Sequence, residues 1–430
     1  MLFRSIDMAQ TLKFGNKTWA TKVGSTLAYN DENANYKPLP FAFTRSTSAT
    51  RVNKEGLIEV VTSDRPRIDY TDTSDGVLLL EKAATNLVTY SEAFSNAYWT
   101  KEKASIVSNA VISPDGTSNA SKLVEDSSNG LHRIYTNLIT TSQNNNYTSS
   151  VFAKKGGRNI FGIQTSSGAQ PYVWFNLDKG IVELQESSIV GKIESLANGW
   201  YKCSATWNSS SATNDRVFIQ LAKSISNTSY TGDGSSGVYI FGAQFEIGNV
   251  ASSYIPTQGS AVTRVAETAS GAGNSEVFSD SQGVLFFDGS VFATNENLCI
   301  SINDGGATGS GNRVELLWFS DGKFYTQVGN SGQEFISSNT LNNKILIKYG
   351  SGTYHLYVNG FRRITDTYTS LSGLVSLDFK RQGSFTFKGK TKELGYYNTI
   401  LTDLELETLT SYKSWTSMVN ELNLNIIYNG

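Results

Sequence analysis

Residues 232–264, GDGSSGVYIFGAQFEIGNVASSYIPTQGSAVTR, decide the fold. The opening GDGSSG is almost entirely turn-forming, with glycine and aspartate able to take left-handed or tightly bent backbone. Residues 238–247 then alternate as a strand. Val238, Ile240, Gly242, Gln244 and Glu246 fall on one face, with Tyr239, Phe241, Phe245 and Ile247 on the other. Pro256 ends the extended piece that follows. The same pattern runs upstream, with strand-like stretches at residues 104–108, 121–125, 132–136, 147–154, 160–164, 172–176, 181–184, 189–195, 200–207 and 217–222. Pro114-Asp115-Gly116, Asn129-Gly130, residues 155–157 and 178–180, and Asn198-Gly199 punctuate them. Short strands joined by tight turns predict an antiparallel sandwich, because a parallel sheet needs crossover helices and none is present here.

Composition fits an all-β chain. The 430 residues suffice for roughly three domains of about 150 residues. Charged residues make up 17%, below the usual ~25%, so the polar surface rests on Ser, Thr, Asn and Gly. Lys and Arg (36) nearly cancel Asp and Glu (38), which argues against nucleic acid as a partner. No run of 18 apolar residues is present, so no membrane insertion by a helix is expected. Cys203 and Cys299 read as buried free thiols, with neither a disulfide framework nor a Cys/His zinc cluster around them.

The stretch 238–264 closely resembles the last strand and exit loop of a jelly-roll found in tailed-bacteriophage virion proteins, typically GVYIWGAQLE-G---SYIPT----TR. Residues 76–100, GVLLLEKAATNLVTYSEAFSNAYWT, and 198–204, NGWYKCS, are similar to two further blocks of that family. Within residues 41–69 the phrase TRSTSATRVNKEGLIE resembles another, and Met8 opens a MAQTLKFG phrase like those with which related proteins begin, so residues 1–7 read as an extension. The resemblance is to fibre or appendage proteins. It implies a virion location after synthesis in the host cytoplasm and release on lysis. It also implies other virion proteins as partners, a homo-oligomer (commonly a trimer), and recognition of cell-surface or environmental glycans.

A second sandwich is expected over residues 283–400. Its clearest passage is residues 344–364, KILIKYGSGTYHLYVNGFRRI, in which Ile345, Ile347 and Tyr349 alternate with Leu346 and Lys348, and Tyr354, Leu356 and Val358 with His355 and Tyr357. Asn359-Gly360 is a two-residue hairpin signal. The passage is similar to the central hairpins of concanavalin A-like (laminin-G-like) domains. The expected organisation is all-β: a loop-rich N-terminal unit (1–75), a jelly roll (76–264), a small, polar linker (265–282), a concanavalin A-like sandwich (283–400) and a C-terminal helical tail (401–430). Thr402 and Glu405 form a capping box there, and Leu401 with Leu406 a hydrophobic staple. Farther on, Trp415, Met418, Val419 and Leu422 form an apolar stretch that must be buried, either within the chain or between subunits.

The sequence offers no case for catalysis. His132 and His355 sit singly within strand-like runs, and GxSxG, HExxH and GxxxxGK[ST] are all missing. A glycosidase carboxylate pair is invisible to linear reading, so a polysaccharide depolymerase is the least favoured function. Sugars are held by aromatic faces and planar polar groups. On that basis the carbohydrate-binding candidates are Tyr172 and Trp174 on one side of a strand beside Gln170, Asn176 and Asp178, and Trp318 with Tyr325 around a turn; the plainer reading of these aromatics is core. The arginine-rich segment offers Arg45 and Arg51 as subunit contacts together with Trp415 and Leu422. The plainer reading of the arginines is side chains that pin irregular backbone through its carbonyls. Asp233, or Asn303 with Asp304, offers oxygen ligands for Ca²⁺, without the spacing of an EF-hand loop.

Overall fold

The computed structural model describes residues 10–27, 37–165, 172–209, 214–292, 296–306, 311–335, 342–381 and 385–422. The extension at 1–7 and Gln170 lie outside them. The described chain is all-β, with two short helices near its end.

Two compact units are interleaved along the sequence. The first is a jelly roll built from residues 83–265 together with 47–61. One of its sheets runs, in spatial order, Trp99–Glu102, Arg133–Thr136, Val217–Ala222, Ile160–Thr165, Tyr172–Asn176 and Ile181–Gln185. The facing sheet runs Ala104–Val111, Ala120–Glu125, Gly237–Ile247, Asn145–Gly156, Tyr201–Ser209 and Ile189–Ser195. All of these pairings are antiparallel. The core between the sheets holds Trp99, Leu123, Ile134, Phe161, Phe175, Ile219 and Phe245.

The deciding strand departs from simple alternation. Val238 and Ile240 enter the core, and so do Ala243 and Phe245, while Phe241 joins a separate cluster with Phe152, Trp200 and Tyr254. The register against Asn145–Gly156 shifts at this point, and Gly242 takes φ +60°. A bulge inserts one residue and exchanges the faces beyond it, and glycine accepts that backbone without strain.

The second unit comprises residues 62–82 and the described parts of 1–46 and 266–430. Its larger sheet runs Phe361–Thr367, Thr353–Val358, Asn342–Gly350, Gln282–Val291, Gly389–Tyr397, Val77–Leu80 and Arg67–Asp69, with Leu12–Gly15 also paired to Gly389–Tyr397. The smaller sheet runs Ser331–Phe335, Phe324–Val328, Arg313–Trp318, Leu298–Asn303 and Ser376–Asp378. Ile345, Ile347, Tyr349, Tyr354, Leu356 and Val358 face the core between the sheets, as the alternation predicts. Asn359 and Gly360 both take positive φ, 51° and 86°, which suits a two-residue hairpin turn. Leu346 and Tyr357 on the opposite face meet Leu401 and Leu406 beneath helix α1, Asp403–Thr410. Thr402 caps that helix with both bonds of the capping box. Helix α2, Trp415–Glu421, follows. It buries Val419, while Trp415 is 67% exposed in the single chain, which leaves the contact between subunits as the way to cover it.

The expected boundaries change in two places. Residues 1–75 do not stand alone. Phe41–Thr44 pairs with Thr268–Ser270 and Leu12–Gly15 with Gly389–Tyr397, while Ile58 packs with the jelly-roll residues Ala120 and Trp200. Strands of three or four residues cannot bury a core by themselves and are completed by distant partners. Residues 265–282 are likewise not a free linker, since Ala269, Ala272, Val277 and Phe278 lie in the second unit's core.

Candidate functional site

The strand Tyr172–Asn176 divides its side chains between two environments. Val173 and Phe175 enter the jelly-roll core, while Tyr172, Trp174 and Asn176 alternate onto the outer face of the sheet. Trp174 stands opposite Gly162 in the neighbouring strand, and a Cβ added at Gly162 would meet the indole at 2.8 Å, so the ring lies against bare backbone. Ile160 and Ala222 pack with it, and Tyr172 stacks on it at 4.8 Å with planes 19° apart. The indole is therefore outward-facing yet only 5% exposed. It supports the surface and leaves no ring face open for a sugar, which corrects its assignment as a stacking platform.

Tyr172 is half-buried, and its hydroxyl donates to Gln220 Oε1 at 2.7 Å. Burial pushes its phenol up, against the opposing pull of the Arg133 guanidinium. Arg133 reaches the same face from the strand Arg133–Thr136. Its Nε donates to Glu102 Oε2 at 2.8 Å and its Nη1 approaches Gln164 Oε1 at 3.5 Å. The guanidinium lies 4.9 Å from the Phe218 ring centre and 5.9 Å from that of Tyr135, and Arg216 lies 5.1 Å from Tyr135 on its own account. Burial opposes the charge on Arg133, but the Glu102 carboxylate more than offsets this and raises its pKa. Four adjacent strands thus bring Tyr172, Tyr135 and Arg133 to a half-buried surface, with buried Gln164 and Gln220 behind them. Aromatic edges can meet sugar C–H groups there, and the guanidinium and amides are the planar partners that hydroxyls need.

The remaining candidates scatter. Asn176 is buried, and its Oδ1 accepts from the backbone N–H of Asp178 and Lys179 while its Nδ2 donates to Glu183, so it builds the turn. Asp178 is exposed and bound by Lys155 and Asn159. Trp318 is a core residue packed edge-on against Phe287, Phe324 and Phe387, whereas Tyr325 lies on the opposite face of its sheet. The two do not form one site. Arg45 is fully buried against Glu267 and donates to the carbonyls of Thr62 and Arg65, so it acts inside its unit and not as a subunit contact. Arg51 pairs with Glu59 across a hairpin. Leu422 is partly buried at the end of α2.

Asp233 Oδ1 accepts from the N–H groups of Ser235 and Ser236, and Asn303 donates to Asp378. Among the described residues no three His, Cys, Asp or Glu side chains gather as a metal site, and no helix is long and apolar enough to cross a membrane. Cys203 and Cys299 are both buried free thiols.

The signature phrases proved to be scaffolding. Asn86 donates to the carbonyls of Ala243 and Ile255, Ser91 Oγ meets the Tyr254 hydroxyl at 2.7 Å, and Thr257 Oγ1 donates to Val88 O. Glu246 accepts from Ser252, and Gln244 Oε1 from Ile255 N–H. These bonds stitch the exit loop both to residues 86–91 and back onto its own strand, Gly237–Ile247. The residues that line the candidate face, Arg133, Tyr135, Phe218 and Gln220, escaped the sequence reading. Alternation in the runs 132–136 and 217–222 places each pair on one side, but which strands become neighbours is not written locally.

No family model matches the chain, and no curated protein matches it. Among solved structures, the chain is similar to the CBM40 of the Ruminococcus gnavus IT-sialidase, with 18% identity and a TM-score of 0.27, covering 33% of this chain and 94% of that one. The same CBM40 bound to α2,3-sialyllactose has a TM-score of 0.26 at 18% identity, over 31% of this chain and 83% of that one. The NanB sialidase from Streptococcus pneumoniae has a TM-score of 0.27 at 16% identity, over 31% of this chain and 24% of that one.

Proposed function

We propose that this protein is a non-enzymatic glycan-binding component of a bacteriophage virion, a fibre, spike or capsid appendage, and that the outer face around Tyr172 and Arg133 is its binding surface. The observation that carries the binding reading is this face itself. Half-exposed tyrosines and a guanidinium lie side by side on a rigid sheet, braced from behind by buried Trp174, Gln164 and Gln220. The virion reading rests on the signature phrases at residues 41–69, 76–100, 198–204 and 238–264. A homotrimer is part of the same reading, and the exposed Trp415 supports a subunit contact at the tail.

A second reading, a structural virion part without ligand, has its own support. Arg133 is already paired with Glu102, and the Tyr172 hydroxyl is already bonded to Gln220. A glycan array that includes α2,3- and α2,6-sialyllactose decides between them. The binding reading expects a defined set of bound glycans, lost in Tyr172→Ala. A blank array, or binding unchanged by that substitution, favours the structural reading. A reducing-sugar assay on host capsule separates both from a depolymerase.

A further inference from the structure

His132 lies wholly inside the jelly roll, and both of its ring nitrogens face backbone carbonyl oxygens. Nδ1 is 2.6 Å from Lys103 O, and Nε2 is 3.0 Å from Tyr230 O. A carbonyl only accepts a hydrogen bond, whereas a neutral imidazole carries one N–H and one lone pair. The neutral ring would satisfy one carbonyl and set its lone pair against the other, leaving a buried acceptor unmade. Only the imidazolium, with a donor at each nitrogen, makes both bonds. Asp126 Oδ1, 3.6 Å from Nδ1, supplies a countercharge.

The ring sits where the chain changes sheets. Trp99–Glu102 belongs to one sheet, Ala104–Val111 to the facing one, and Lys103 alone joins them. Lys103 takes φ +48°, in the left-handed region that a lysine seldom adopts unless its surroundings hold it there. Its carbonyl is held twice, by His132 Nδ1 and by the backbone N–H of Asp126 at 3.0 Å. The other ring nitrogen holds Tyr230, in the short strand paired with Asn129–Gly130. Glu102 and Arg133, the ion pair of the candidate face, stand directly opposite each other at the positions next to Lys103 and His132.

We infer that His132 is a charged clamp, an imidazolium that pins the sheet-to-sheet corner at Lys103 to the strand of Tyr230, and that the clamp opens as pH rises and the ring gives up a proton. The charges around it are already engaged. The Lys103 ammonium binds Asn129 O, and Glu125 accepts from Arg158 at 2.6 Å and from the Tyr230 hydroxyl at 2.7 Å. Arg158 and Lys223 lie 5.5 and 5.0 Å from the Tyr230 ring centre, the imidazole packs on that ring at 4.7 Å, and Asp233 is 3.5 Å from Arg158. Because the two bonds need the proton, the stabilisation they give is present where the proton is held and is lost as pH rises. That is the opposite sense to a salt-bridged carboxylate. The clamp stands beside the candidate face and needs no ligand there.

Long-range proton–nitrogen NMR of the full chain, labelled with ¹⁵N at histidine and carrying His355→Gln so that His132 is the only histidine, tests the clamp without touching it. Both ring nitrogens are expected to carry a proton at pH 6, and one of them to lose it on the way to pH 9. Amide exchange at residues 102–104 and 230–232, corrected for its intrinsic pH dependence, should quicken about tenfold or more over the same range, as local opening becomes easier by one charge-assisted hydrogen bond. In thermal melts, wild type should lose roughly 3–12 °C between pH 6 and 9, the equivalent of that bond in a unit of this size. His132→Gln, which keeps one donor, should melt lower at pH 6 and lack that fall. If His132→Gln does not fold, the spectrum of the intact ring decides. A ring with a single N–H at every pH from 5 upward, or parallel melting curves against pH for wild type and His132→Gln, overturns the clamp and leaves the reading of the candidate face as it was.

Discussion

Glu267→Gln is expected to be among the most damaging single changes in the second unit. Glu267 is fully buried; its Oε1 accepts from Arg45 Nη1 at 2.7 Å and Arg67 Nε at 2.8 Å, and its Oε2 from the backbone N–H of Glu81 at 2.9 Å and from Arg67 Nη2. Glu81 supplies the second carboxylate by binding Arg67 at 2.8 Å. Two guanidiniums and two carboxylates thus meet here, with the buried Lys388 ammonium on the Glu267 carbonyl beside them, and the Arg67 pKa is raised because both carboxylates outweigh the cost of burial. A glutamine keeps the volume but removes one negative charge and forces an N–H₂ against a guanidinium. Breaking a buried ion pair on one side typically costs ~3–5 kcal/mol, because the remaining charge stays buried without compensation. For a unit of some 200 residues that is a fall of roughly 6–20 °C in melting temperature. Calorimetry of wild type and variant at neutral pH reads this directly. A transition within about 2 °C of wild type would show that water or a rearranged partner replaces the lost charge, and the network would then have no strong role in holding residues 41–46 and 62–82 to 266–270.

Three other outcomes are expected. Trp174→Ala should destabilise the jelly roll by ~3–5 kcal/mol in denaturant melts through the cavity left on Gly162, whereas Tyr172→Phe, which keeps the ring and deletes the hydroxyl bound to Gln220, should cost ~0.5–1.5 kcal/mol. Glu125 pays for burial but is bound by Arg158, Tyr230 and the Asp233 N–H, which together hold its pKa below the ordinary 4.5. Its stabilisation is complete above that value and is lost as pH falls through the lowered one, so melts between pH 6 and 3 should be flatter for Glu125→Gln than for wild type. Trp415→Ser should change the stability of the isolated chain by no more than ~0.5 kcal/mol, the range for exposed positions. Sedimentation of the same variant should show a smaller species than wild type if Trp415 lies in a subunit contact, and an unchanged species argues against that contact.

What could be read from the sequence follows the range of the interactions. The Asn359-Gly360 turn, the Thr402–Glu405 capping box and the alternation of residues 345–358 are local, and all three appear as expected. The strands at 172–176, 189–195 and 217–222 coincide with their predicted runs. The reading failed where partners are distant. Arg45 binds the Thr62 and Arg65 carbonyls as its plainer reading expected, but it also meets a carboxylate 222 residues away, and that pairing makes an apparent linker part of a buried network. Gly242 hid a bulge, because a glycine inside an alternating run gives no sign of which face it exchanges. At the candidate site Tyr172 was found because it is aromatic and next to turn residues. Arg133 was not, since its place beside Tyr172 depends on the intervening strands Val217–Ala222 and Ile160–Thr165.

The central claim is that glycan binds on the outer face of the jelly-roll sheet. A crystal structure of the full chain soaked with the strongest glycan from the array tests it most directly. The account predicts a sugar ring against Tyr172 or Tyr135 with a hydroxyl on the Arg133 guanidinium. A sugar seated elsewhere on the jelly roll, with this face bare, would contradict it.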